Sequence, residues 1–145
     1  MPEASEILQR TKVVVSHETY ALISLRHAAF SRLMESSELS PRLTAPFFIF
    51  SDNYEVTMLL DETDFGTMRH ALRDAKTERG FRLVTFDIEL DLNLTGYLAE
   101  ITHILAAAKV PIVAISAFSR DHLLIKQNDL AAALKALGPY VGELC

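Results

Sequence analysis

The sequence predicts an α+β fold, and three observations carry that prediction. Several short stretches alternate apolar and polar residues with period two, the mark of half-buried strands. Other stretches space their apolar residues three and four apart, as an amphipathic helix does. Most telling, the two kinds of stretch occur twice in one order: YALISL, a helix, FFIF, a turn, EVTMLL and a helix, then FDIEL, a helix, PIVAIS, a turn, HLLI and a helix. The offset between matching strands is about 65 residues, a period to be tested as a duplication. Antiparallel hairpins in this order give two ferredoxin-like βαββαβ units, each with its helices on one face of its sheet.

In chain order, residues 1–19 read as an N-terminal extension with a first strand, 20–80 as a first repeat and 81–145 as a second. Met1–Lys12 is a lead or a short helical extension. Val13–Val15 and Tyr20–Leu25 are β-rich around the polar SHET, giving two short strands or one interrupted strand. Ala28–Glu35 suits a short helix with Phe30, Leu33 and Met34 on one side. The Ser- and Pro-containing residues 36–46 form a loop. FFIF and the alternating EVTMLLDE are strands joined by the turn SDNYE. Thr63 or Asp64 then caps a helix with the stripe Phe65, Met68, Leu72 and Ala75, running to about Thr77 and closed by Gly80.

From Arg82, a strand places Val84, Phe86, Ile88, Leu90 and Leu92 on one face and Leu83, Thr85, Asp87, Glu89 and Asp91 on the other. Thr95 is the expected N-cap of a helix buried through Leu98, Ile101, Leu105 and Ala108. Pro111 blocks its continuation, PIVAISAF is a buried strand, residues 119–121 turn, and HLLIK returns. Asn128 caps a final helix, stopped by Gly138-Pro139. Neither half has an unambiguous fourth strand: Arg82–Leu92 serves both, or the terminal segments fill the gap.

A formal charge of −5 with scattered Lys and Arg leaves no footprint for nucleic acid or an anionic membrane. The single cysteine, Cys145, excludes a disulfide framework or thiolate zinc site within the chain. The polar, acidic N-terminus lacks the basic and apolar regions of a secretory leader, and no apolar run approaches membrane-span length. A cytoplasmic protein is expected.

The five histidines, His17, His27, His70, His103 and His122, have no metal-binding spacing, and no metal or cofactor is expected. No G-x-S-x-G elbow and no phosphate loop occur. In the comb Asp87, Glu89 and Asp91, a solvated sheet face explains Asp87 and Glu89, while Asp91 differs because it sits at the strand end, entering the loop. What remains is LNLTGYLA, where a glycine precedes a helix whose first amides are unpaired. An amino-acid carboxylate fits those amides while Asp91 or Asp121 meets its ammonium. Alternatively, Thr95-Gly96 is only a tight turn.

The run DLNLTGYLAEITHILAAAKVPIVAIS resembles the first loop, helix and second strand of ACT domains, regulatory amino-acid-binding modules: an acid, a short loop, Gly, an apolar pair, a helix, then I-x-x-I-S. AFSRDHLLI resembles the subgroup of CASTOR-like arginine sensors and small tandem-ACT bacterial proteins, and FSDNYEVTMLL the hairpin of their preceding repeat. The strong similarity spans residues 82–137 and a weaker one reaches back to residue 20. The resemblance implies a ligand between two ACT units, held by the loop residues Asp91, Thr95, Gly96, Tyr97 and Leu98 and by Ala117, Phe118 and Asp121 of a strand and turn. Asp121 matches the residue that meets the ligand's cationic end. In two departures, Ala117 replaces a usual threonine, and Lys109 stands where a helix-ending glycine is frequent. The expected function is a non-enzymatic amino-acid sensor, acting through a homo-oligomer or a partner enzyme. The alternatives are a ligand-independent interaction module and, less favoured, a small enzyme using the acidic comb.

Overall fold

The computed structural model describes residues 3–36, 41–42 and 45–145; most of the expected loop 36–46 lies outside them. In chain order the elements are α1 (Ala4–Gln9), β1 (Lys12–Leu25), α2 (His27–Met34), β2 (Phe48–Ser51), β3 (Val56–Asp61), α3 (Glu62–Met68), β4 (Lys76–Asp87), α4 (Tyr97–Ala107), β5 (Val113–Ser116), β6 (Asp121–Lys126), α5 (Leu130–Leu137) and β7 (Glu143–Leu144). The fold is α+β. Two compact units divide the chain: a middle unit, Glu18–Phe81, and a split unit made of the residues up to His17 with Arg82–Cys145.

The middle unit runs β1, α2, β2, β3, α3, β4, using the later half of β1 and the first half of β4. β1 is one continuous strand through Ser16–Thr19 rather than two short or interrupted ones. It pairs antiparallel with β3, from Tyr20 opposite Asp61 to Leu25 opposite Val56, and β3 pairs with β2. This register puts Ala21, Ile23 and Leu25 on one face with Val56, Met58 and Leu60, where Leu33, Phe65, Met68 and Leu72 close the core. Each large side chain buried there contributes about 1.5–3 kcal/mol.

α3 differs from expectation at both ends. Its cap is Asp61, whose Oδ1 accepts the Asp64 amide at 2.8 Å, not Thr63 or Asp64. It stops at Met68 rather than Thr77, because residues from Lys76 are taken up by a strand; Leu72 is still buried, from a turn. Strand pairing here overrides the helical period. Asp61 is fully buried and is bonded by the Arg42 guanidinium, which also reaches Asp64 Oδ1 at 2.9 Å. Burial pushes the Asp61 carboxyl up, but bonds from Glu18, the Asp64 amide and Arg42 outweigh it and hold the group below the usual carboxylate range.

The split unit runs β4, α4, β5, β6, α5, with its strands in the order β5-β6-β4-β1. The first half of β1 thus takes the place of the fourth strand. β7 pairs in parallel with its other edge, Lys12 opposite Glu143. Ser16 joins β1 to β4: its Oγ accepts the Leu83 amide at 3.0 Å and its carbonyl accepts Arg82 Nε at 2.8 Å. Val13, Val84, Phe86, Leu123 and Ile125 face Ile7 and Leu8 of α1, Ile101 and Leu105 of α4, and Leu137 of α5. β4 ends at Asp87, five residues before the expected Leu92, although Ile88 and Leu90 still pack on this core. The last helix follows a 3-10 turn, Gln127–Asp129, so Asp129 rather than Asn128 holds its N-cap.

α4 closes in a left-handed cap. The Val110 amide bonds Leu105 O at 3.0 Å and the Lys109 amide bonds Ala106 O at 3.0 Å, with Lys109 at φ +60°. This double bond pattern ordinarily places glycine where Lys109 stands, and buried Val110 supplies the apolar contact that accompanies it. Lys109→Gly should therefore raise stability by about 0.5–1 kcal/mol in urea unfolding. The opposite holds at Gly142, where an added Cβ meets the backbone oxygens of Gln9 at 2.7 Å and Thr11 at 3.2 Å. Backbone cannot yield as a side chain does, so Gly142→Ala should cost about 1–3 kcal/mol in the same measurement.

Candidate functional site

The chain leaving β4 is turned by a short series of bonds. Asp87 Oδ1 accepts Arg120 Nε at 2.9 Å, and the Leu90 amide donates to Ser119 O at 2.8 Å, which ties this loop to the β5–β6 turn. Asp91 Oδ1 accepts the Asn93 amide at 2.8 Å and its carbonyl accepts the Leu94 amide at 3.0 Å. An aspartate bonding its own backbone two residues on makes such a turn. Gly96, at φ +87° and ψ −7°, then delivers the chain into α4 as its N-cap. The expected cap, Thr95, is exposed and makes no cap bond, because the left-handed glycine sets the entry angle instead.

The facing wall is the β5–β6 hairpin. Ser116 lies opposite Asp121, and its hydroxyl donates to Asp121 Oδ1 at 2.7 Å. The Ala117 amide bonds Arg120 O at 2.9 Å, closing the tip where Phe118 is 83% exposed. Asp121 itself is 8% exposed.

Loop and hairpin enclose an open cleft of about 270 Å³. Of the residues singled out in the sequence, Asp91, Gly96, Tyr97, Leu98, Ala117, Phe118 and Asp121 line it, and Thr95 does not. Tyr97 is buried, and its hydroxyl lies 2.7 Å from Thr11 Oγ1. Since Thr11 donates its own proton to Ile7 O at 2.8 Å, the tyrosine is the donor. Burial pushes the Tyr97 hydroxyl up to about 12. The Tyr97 hydroxyl is therefore committed to Thr11. Sequence reasoning missed Ser116, Ser119 and Arg120 as lining residues, and placed Leu92 on a buried strand face although it is 70% exposed. A second cleft of about 380 Å³ shares Leu90, Asp91 and Leu94 and is otherwise lined by Ile7, Arg10, Ile88 and Glu89.

A helix start with free amides, a left-handed glycine and a facing hairpin carboxylate make an arrangement that a family pattern can be matched to. Residues 76–138 match the ACT domain family. The matched segment runs from the start of β4 to the end of α5 and contains the whole 270 Å³ cleft. No curated protein matches the chain.

Solved structures share the fold at low identity. A protein of Agobacterium tumefaciens is 19% identical with a TM-score of 0.73, over 94% of this chain and 92% of that one. A protein of Vibrio cholerae is 19% identical with a TM-score of 0.69, over 94% of each chain. The regulatory subunit of aspartate kinase from Thermus thermophilus is 12% identical with a TM-score of 0.62, over 92% of this chain and 98% of that one. No helix among the described residues is long and apolar enough to cross a membrane.

Within the segment that matches the ACT family, His122 follows Asp121 on β6, and its Nδ1 lies 3.0 Å from Thr85 Oγ1. Burial lowers its pKa from the ordinary value; Asp121 opposes the shift and Arg120 adds to it. A histidine whose folded pKa is depressed favours the folded state above its unfolded pKa, about 6.5, and that contribution is lost as pH falls. Denaturant unfolding should thus show stability falling as pH drops below about 6.5, and His122→Gln should flatten this slope. An unchanged slope would mean that His122 stays as basic in the fold as in the unfolded chain.

Proposed function

We propose that the protein is a non-enzymatic, amino-acid-binding regulatory protein whose ligand occupies the cleft between the Gly96 loop and the β5–β6 hairpin. The observation that supports the reading is that Gly96, Tyr97 and Leu98 at the start of α4 and Asp121 on the hairpin line one small space. Amides at a helix start attract a carboxylate, and a carboxylate attracts an ammonium or guanidinium group. An amino acid carries both groups. The volume of about 270 Å³ suits one such molecule and falls below the usual range for larger ligands.

Each residue has a distinct role in this reading. Gly96 permits the backbone turn that presents the amides of Tyr97 and Leu98. Asp121, oriented by Ser116, meets the cationic end, and Asp91 shapes the loop. Ala117 brings no hydroxyl to the ligand, which shifts recognition toward backbone and charge. Regulation then follows from association with a partner enzyme or a second copy, for which the exposed Leu92 and Phe118 at the rim supply apolar surface.

Those same two side chains favour a second reading, an interaction module that needs no ligand. Thermal-shift screening against the twenty amino acids separates the two. A ligand at about a hundred times its Kd should add about 2.7 kcal/mol of stability. Gly96→Val should abolish that response while circular dichroism still reports a folded chain. No response to any amino acid, together with a constant dimer in sedimentation, would replace the sensor reading with the second one.

A further inference from the structure

The middle unit holds a cleft of about 810 Å³, three times the volume of the one beside Gly96. It opens among the end of β1, α2, the β2–β3 turn and residues 70–76. Because α3 stops at Met68, five of the seven residues that follow it before β4 line this space.

The charge around the cleft contrasts with that of the chain. Arg26, Arg32, Arg73 and Lys76 line it against only Glu55 and Asp74, a balance of +2 in a protein whose formal charge is −5. Glu55 already accepts the Ser24 hydroxyl at 2.5 Å. Among the described residues none of the four cations makes an ion pair; Arg42, Arg79 and Arg120 take those roles. Unpaired like charges around one concavity repel one another and raise the local concentration of anions.

We propose that this cleft binds a phosphate-bearing small molecule of nucleotide size. A single carboxylate is satisfied by one guanidinium fork, whereas three guanidinium groups and an ammonium match a group with charge near −2 and several acceptor oxygens. The volume lies within the usual range for such ligands. Tyr54 at the mouth is 86% exposed and offers an aromatic face to a ring. Glu55 and Asp74 are acceptors for its hydroxyl or amino donors. This site is independent of the Gly96 cleft, and either can fail without the other.

Titration calorimetry of the full chain at low ionic strength, with ATP, inorganic pyrophosphate and citrate as probes, tests the proposal. ATP and pyrophosphate should bind, with affinity that falls as KCl is added. Arg32→Gln with Arg73→Gln should weaken both by at least about tenfold without moving the thermal unfolding midpoint, since both side chains are exposed. Should that pair fold poorly, Arg26→Gln should give a smaller loss in the same direction. Absence of heat with both phosphate probes, citrate binding as tightly as ATP, or affinity unchanged in the variants would each overturn it.

Discussion

The pairing of the first half of β1 with β4 is the constraint on which the split unit depends. Residues 82–145 supply three strands of a ferredoxin-like sheet, and β4 would be left with an unpaired edge. Lys12–His17 covers that edge, fastened at Ser16 to Arg82 and Leu83. The C-terminus then covers β1 in turn, with the Cys145 amide on Val13 O at 2.8 Å and the Val15 amide on Cys145 O at 3.0 Å. Because the chain before β1 must lie on this unit, α1 buries Ile7 and Leu8 beside α4. Thr11 reaches Tyr97, the first residue of α4. A buried hydroxyl without a partner would cost about 1–3 kcal/mol, so this bond helps hold the helix start that lines the candidate site.

The two units solve the step from strand to helix differently. In the split unit β4 and α4 are separated by a loop that ends in a left-handed glycine, leaving a concavity beside the helix start. In the middle unit β1 passes into α2 through Arg26 alone, with extended backbone and no glycine. The concavity there opens elsewhere, where α3 ends early, and its lining is cationic. Similar element order therefore does not give similarly lined clefts, whose residues come mostly from the connections.

The element order and most core residues were legible because period two and period three-to-four patterns report burial directly. Boundaries set by distant partners were not. Leu72 continues the helical stripe of α3, yet pairing of Lys76 onward ended the helix first. Ile88 and Leu90 continue the strand alternation of β4, yet they pack against the core, half-buried, from a loop. The sequence leaves the fourth strand open between a shared Arg82–Leu92 and the terminal segments, since no local pattern says which edge a strand will cover; the first half of β1 fills it in the split unit. In the candidate site, Asp91, Gly96 and Asp121 stood out by type and position. Arg120 did not, because a half-buried arginine becomes informative only once Asp87 and Ser119 are seen beside it.

The two ends of α4 show why one departure from the ACT pattern it resembles is tolerable and a change at the other end would not be. Both flanking residues take positive φ, but Lys109 at +60° lies inside the small left-handed region open to side chains, whereas Gly96 at +87° lies beyond it. Space is not the issue at Gly96, where an added Cβ would approach only Ala4 Cβ, at 3.9 Å. The demand for glycine comes from the backbone angle that turns the loop into the helix. That angle presents the first amides of α4 to the cleft opposite Asp121. The candidate site thus rests on a conformational requirement at one residue, while the side chains around it are free to differ.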